Sequence, residues 1–182
     1  MTTHPWQFDL THSSIGFHIR HLMVSKVHGR FHAWSGKLEL DDDDLTRSKL
    51  DVSIDASSID TKEDKRDAHL RSPDFLDVEK FPTITFTSTK ITRTGDETYE
   101  LVGDLTIHGV TRPVTLAVEG GGRVKDPWGG TRTGFSAKGA ISRKDFGMTW
   151  NLALEAGGFV VGDKLELSLE VEAVKQAAEV AA

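Results

Sequence analysis

Apolar side chains recur with a period of two along Ile15, Phe17, Ile19; Leu50, Val52, Ile54; Leu101, Leu105, Ile107; Val114, Leu116, Val118; and Leu165, Leu167, Leu169, Val171. Successive residues of an extended chain point to opposite faces, so this period builds strands with one buried and one solvated face. That is the pattern of antiparallel sheet. Turn signals at Asp41 to Asp44, Thr94-Gly95-Asp96, Gly120 to Gly122, Pro127 to Gly130 and Gly157-Gly158 separate the runs. About eight long strands with short connections must dispose of their edges, and closing the sheet on itself does so completely. An all-β, eight-stranded antiparallel barrel is expected, with a sandwich as the alternative. One segment, Thr61 to Leu70, reads as helix, with Thr61 as N-cap, Asp64 three residues on, and Pro73 as the stop. This short helix is expected to close one end of the barrel.

The interior of an eight-stranded barrel is either filled by side chains or holds one small ligand. On the inward face of Phe135, Ala137, Gly139 and Ile141 two side chains are very small, and Gly103 lies between Leu101 and Leu105. These positions leave room for a lumen, or they mark bulges needed for curvature. With 182 residues, 37% of them apolar, the chain builds one domain with its own core: a barrel core over about 6–173 and a short frayed helix or disordered tail at 174–182. Net charge of −6 argues against nucleic acid as a partner. The chain has no cysteine, which excludes disulfides and thiolate chemistry. No stretch approaches the ~18 apolar residues of a membrane helix. MTTHPWQFDL carries no leader pattern. A cytoplasmic protein without stable membrane insertion is expected.

His18, His21, His28 and His32 fall on one predicted hairpin. With Phe17, Ile19, Val27 and Phe31 inward, His21 also points in, whereas His18, His28 and His32 point out. Folding about Met23 to Ser25 is expected to set His18 beside Arg30, with His28 and His32 as diagonal neighbours. A zinc site there lacks an obvious fourth ligand, so a solvated patch is the plainer reading. The inward His21 needs either a core partner such as Ser25 or a polar ligand group. Parity reverses after Trp34, because Leu38 and Leu40 are even-numbered; a bulge near Ser35-Gly36 is the expected cause.

No nucleophile elbow occurs, and strand serines have no identifiable base, so no catalytic residues are assigned and no reaction is expected. Asp41 to Asp44 lacks the alternating ligands of a calcium loop and reads as four solvated turn aspartates. The glycine clusters lack the strand-to-helix setting of phosphate loops and read as hairpin turns.

Three segments, GFHIRHLMVSKVHGRFHAWSG (Gly16 to Gly36), RDAHLRSPDFLDVEKFPTITFTS (Arg66 to Ser88) and GDLTIHGVTRPVTL (Gly103 to Leu116), resemble the YceI-like family over roughly Trp6 to Ala173. The resemblance implies a lipocalin-like barrel that carries a polyisoprenoid or isoprenoid quinone, with no cofactor, and a homodimer. The implied lumen residues are Ile15, Phe17, Ile19, His21, Val27, Phe31, Phe86, Leu105, Phe135, Gly139 and Ile141, with Phe75, Phe81 and Phe146 at the ends. Gly139→Leu is then expected to fold but lose lipid binding. Arg66 and Asp67 are expected to pin the helix to the corner at Arg143 to Gly147. Two other classes remain open: a metal-dependent protein using His18, His28 and His32, and a solid barrel serving as a structural or stress-related module, with exposed Trp34 and Leu22 as its contact residues.

Overall fold

The alternating stretches fold as antiparallel strands, and in the computed structural model, which describes residues 2–177, they join one sheet. In chain order the strands are β1 (Thr3–Phe8), β2 (Ser14–His21), β3 (Ser25–Phe31), β4 (Trp34–Asp41), β5 (Lys49–Asp55), β6 (Ile59–Asp60), β7 (Thr83–Gly95), β8 (Thr98–Ile107), β9 (Val110–Lys125), β10 (Thr131–Ser142) and β11 (Val161–Lys175). The order β1-β4-β5-β7-β8-β9-β10-β11 makes a ring, closed where Trp6 and Phe8 of β1 face Lys175 and Ala173 of β11. The expected eight-stranded antiparallel barrel is therefore what forms, and closure leaves the ring without an open edge. The rest of β11 pairs with β2, β2 pairs with β3, and β3 pairs with β6. That branch stops at β6 without joining β7. The intervening segment, with helix α1 (Asp64–Arg71), closes this end, and Leu70, Leu76 and Val78 pack from it onto the core.

The helix starts later than the sequence suggests. Its cap is Glu63, whose carboxylate accepts from the N–H groups of Lys65 (3.2 Å) and Arg66 (2.6 Å). Thr61 is instead buried, and its N–H donates to Asp67 (2.9 Å). Arg66 donates to the hydroxyl (2.7 Å) and carbonyl (2.8 Å) of the same threonine. Arg66 and Asp67 therefore pin the helix to its own approach, not to the Arg143 corner. Ser72 ends the helix just before Pro73, as the steric restriction on residues preceding proline requires.

The parity reversal has a different cause from the expected bulge. β4 pairs with β5 in unbroken register from Trp34 to Glu39. The reversal falls at His32-Ala33, where the chain leaves its pairing with β2 and turns into β4. Trp34 consequently faces inward, packed edge-on against Phe8 at 5.2 Å, and is not an exposed contact residue. Gly120 and Gly121 do not turn a hairpin either; they sit inside β9 at a register shift against β10, with φ of 123° and 98°. Val174 and Lys175, expected in the tail, complete β11, and residues 178–182 lie outside the described residues.

The aspartate run is a built network at Asp41, Asp42 and Asp44, and only Asp43 is exposed as a solvated turn residue. Asp41 is 1% exposed; its carboxylate accepts from the N–H groups of Asp43 (3.0 Å) and Asp44 (2.9 Å) and from Arg47 (2.8 Å). Asp42 binds Lys175 (2.8 Å), Arg123 (2.8 Å) and His4 (3.1 Å), tying β4 to β11, β9 and β1 where the barrel closes. The Arg47 hydrogen bond, helped by the two backbone amides, holds the Asp41 carboxyl far below the usual carboxylate range. The Lys175 hydrogen bond also lowers the pKa of the Asp42 carboxyl. A carboxyl depressed by folding contributes stability above its unfolded pKa of about 4 and loses it as pH falls towards the folded value. The melting temperature is therefore expected to hold between pH 7 and about 5 and to fall steadily below about 4, less steeply in Asp41→Asn. Calorimetry across that range checks this; a melting temperature independent of pH down to about 2 would contradict it.

Candidate functional site

Inward side chains of all eight ring positions surround a cavity of about 440 Å³, within the ~300–1,000 Å³ range of small-molecule sites. Ile15, Phe17, Ile19 and His21 of β2 form one wall, with Val27 and Phe31 of β3 beside them. Phe86, Leu101, Leu105 and Leu116 stand across from them, and Phe135, Ala137 and Ile141 of β10 adjoin Leu165, Leu167 and Leu169 of β11. Ten of the eleven sequence-derived lumen positions thus reach the cavity wall.

The exception is Gly139. A Cβ there would lie 2.5 Å from Leu116 Cδ2 and 3.0 Å from the Thr115 carbonyl, so the leucine already covers the space over it. Gly103 is similarly covered by the Phe86 ring and Gly29 by the Phe17 ring. These glycines do not open the lumen; they let a large cross-strand neighbour lie flat against the sheet, as a close approach of this kind requires. Of the aromatics expected at the ends, Phe75 lines the cavity, whereas Phe81 packs on His108 at 4.8 Å and Phe146 is fully buried.

The polar lining gathers at the two ends. At the α1 end stand Arg20, His21, Thr61, Arg66, His69, Arg143 and Trp150; at the other are Ser48, Lys49 and Tyr99. His69, Phe75 and Trp150 form an aromatic triangle with centroid separations of 4.6–5.3 Å, and the His69 ring is held by Asp74 (2.7 Å). Arg143, 2% exposed, donates to the carbonyls of Met148 (2.7 Å), Trp150 (2.8 Å) and Gly162 (2.8 Å). It thereby fixes the segment that carries Trp150 at the rim. Burial pushes the Arg143 pKa down, with Asp163 opposing. Of this rim, His21 and Phe75 were expected from sequence, whereas His69, Arg143 and Trp150 were not. One signal was available: Arg143 continues the inward odd-numbered series of Phe135 to Ile141, and a charged group at an inward position demands buried acceptors.

The outer histidines do not gather. The hairpin register sets His18 opposite His28, with ring centroids 5.2 Å apart, and Arg30 opposite Gly16, so the expected His18–Arg30 neighbourhood does not form. The turn is Leu22-Met23, both with positive φ, one residue earlier than expected, which shifts the register. His18 bonds Glu166 of β11, and His32 bonds Asp60 (2.6 Å) on the other side. Among the described residues, the group with metal-ligand spacing is Asp9, His12 and Glu172. Its two carboxylates are already bridged by Arg132 (2.8 and 2.7 Å), which also holds Asp126 (3.0 Å).

No helix among the described residues is long and apolar enough to cross a membrane. The YceI-like domain model matches residues 6–173. Protein YceI of Salmonella newport is 42% identical over 165 residues, covering 91% of this chain and 83% of that protein. The crystal structure of a Campylobacter jejuni YceI protein superposes with a TM-score of 0.74 at 35% identity, over 87% of this chain and 91% of that one. A domain from Saccharophagus degradans, described as polyisoprenoid-binding and implicated in plant cell wall breakdown, shares the fold with a TM-score of 0.66 at 15% identity, over 94% and 98% of the two chains. A closed barrel with this strand order, with these relatives along nearly its whole length, belongs to the YceI-like family.

Proposed function

We propose that the protein binds and carries an apolar, chain-like molecule in its lumen, a polyisoprenoid or an isoprenoid quinone, and catalyses no reaction on it. The observation that carries this reading is the cavity itself: an unfilled, almost wholly apolar space running between two polar ends. Burying hydrocarbon is worth about 0.8 kcal/mol per methylene, so a prenyl unit of about five carbons contributes roughly 4 kcal/mol before the cost of ordering the chain. Such a wall needs no directional chemistry to hold a tail. The polar groups at the rim, His21, Arg66 and His69, suit a small oxygen-bearing head at the α1 end, which fixes which way the chain enters. The polyisoprenoid-binding description of the Saccharophagus degradans relative supports the ligand class.

Organic extraction of freshly purified protein, followed by mass spectrometry, is expected to release an isoprenoid lipid in near-stoichiometric amount. A protein that releases none, and whose tryptophan fluorescence ignores added polyprenol and quinone, would sink the proposal.

A further inference from the structure

Two loop tips project beside the rim at the α1 end, and both are apolar. The β2–β3 turn exposes Leu22 (39%), Met23 (65%) and Val24 (80%), and the loop before β11 exposes Leu152 (56%) and Phe159 (54%). The tips form one surface: the Leu22 N–H donates to the Val160 carbonyl (2.9 Å), and the Met23 thioether lies over Gly158. The surface continues into the lumen, since His21 is paired with Val161 and both, with Val160, line the cavity. Glu155 is the one ionisable residue in 22–24 and 152–160.

Beneath the tip, the outer face of the hairpin is basic although the chain carries a net charge of −6. Arg20 stands directly opposite Lys26, His18 opposite His28, and Arg30 lies one pair further down. Of the nearest carboxylates of β11, Glu166 is taken up by His18 of the hairpin itself and by Lys164, and Asp163 by Lys144 and Arg143, which leaves the facing pair of Arg20 and Lys26 as the core of the collar. Like charges facing each other across a ladder repel, and an anionic surface relieves that repulsion. A greasy tip above a cationic collar is the arrangement that seats a protein in the headgroup region of a bilayer.

We infer that the Leu22–Val24 and Leu152–Phe159 tips, with Arg20 and Lys26, form a docking surface for an anionic lipid bilayer, with the mouth of the lumen set against it. A second copy of this chain would bring a like cationic collar against this one, whereas an anionic surface complements it. Docking stands on the surface alone. Its use, moving a tail between bilayer and lumen without passage through water, rests on the cavity-binding reading.

Sedimentation with phosphatidylcholine vesicles, with and without phosphatidylglycerol, tests the inference, with N-phenyl-1-naphthylamine fluorescence measuring lumen occupancy in parallel samples free of vesicles. The wild-type chain is expected to bind the phosphatidylglycerol vesicles, more weakly as salt rises. Arg20→Glu with Lys26→Glu is expected to weaken that binding at least about 25-fold, at about fivefold per cation. Val24→Asp with Phe159→Ser is expected to weaken it at least tenfold, and Met23→Asn serves as a milder variant because asparagine tolerates the positive φ of that position. Probe fluorescence should not change in Val24→Asp with Phe159→Ser or in Met23→Asn, whose positions lie off the cavity wall. Wild-type protein that ignores both vesicles, variants that bind as well as wild type, or a wild-type dimer that Val24→Asp splits into monomers would each overturn the inference. Absence of probe binding in the wild type would instead count against the cavity reading and leave docking to the vesicle result.

Discussion

Ala137→Phe is expected to lower affinity for an apolar chain about 100-fold while leaving the barrel folded. Ala137 sits on β10 between Val118 of β9 and Leu169 of β11, and all three face the cavity. A phenyl ring at this position projects into empty space and displaces three to four methylenes of ligand, at about 0.8 kcal/mol each. That loss of ~3 kcal/mol corresponds to roughly two orders of magnitude in Kd. Because the space is vacant, the substitution does not incur the overpacking penalty of a filled core, and the melting temperature should not fall. Gly139→Leu, two residues along the same strand, provides the contrast. Its new side chain meets Leu116 and the Thr115 carbonyl, so it is expected to cost on the order of 1–3 kcal/mol in stability instead of acting as a clean plug. Titration with a polyprenol and thermal melting of the pair separate the two effects. Full affinity in a folded Ala137→Phe protein would mean that ligand does not occupy the lumen.

Arg143→Met is expected to cost on the order of 3–5 kcal/mol, the largest effect on stability of a single change outside the apolar core. The guanidinium is the shared donor to the carbonyls of Met148, Trp150 and Gly162, at the point where the chain passes from β10 through the rim into β11. Methionine fills part of the volume but leaves those buried acceptors to water or to nothing, at ~1–3 kcal/mol for each that stays unpaired. For a chain of this size the melting temperature should drop by about 10 °C. Arg143→Lys should recover little of it, because one ammonium does not reproduce the planar fork. Trp150 would lose its anchored position at the same time, so its fluorescence should shift to longer wavelength. A variant that melts within about 1 °C of wild type would show that the rim is held by other contacts.

The glycines show where sequence reading met its limit. Alternation on β10 correctly gives Gly139 the same parity as Phe135 and Ile141, but parity says only which face a residue occupies. It does not say which neighbour leans over that face. Leu116 from β9 covers Gly139, Phe86 covers Gly103 and Phe17 covers Gly29, and each of these contacts joins residues distant in sequence. The same limit applies to the histidines. Their spacing places three on one face, yet a turn at Leu22-Met23 instead of one residue later decides that His18 meets His28 and not Arg30. A register error of this kind changes every cross-strand pair while leaving the alternation intact. The aspartate run was misread for a related reason. Four successive carboxylates look solvated until Arg47 is brought to Asp41, and Arg123 and Lys175 to Asp42, from three different parts of the chain.

What the chain determined locally was the set of strands, their inward faces, the helix near Arg66 and the need to close the sheet, because a period of two, turn residues and unpaired edges act over a few residues. That much led to a barrel with an apolar interior. Whether the interior is hollow, where its polar rim lies, and which loops meet beside its mouth were decided only by tertiary structure. Those properties depend on how side chains from several strands divide a shared volume, and on which carbonyls a single buried arginine can reach at once.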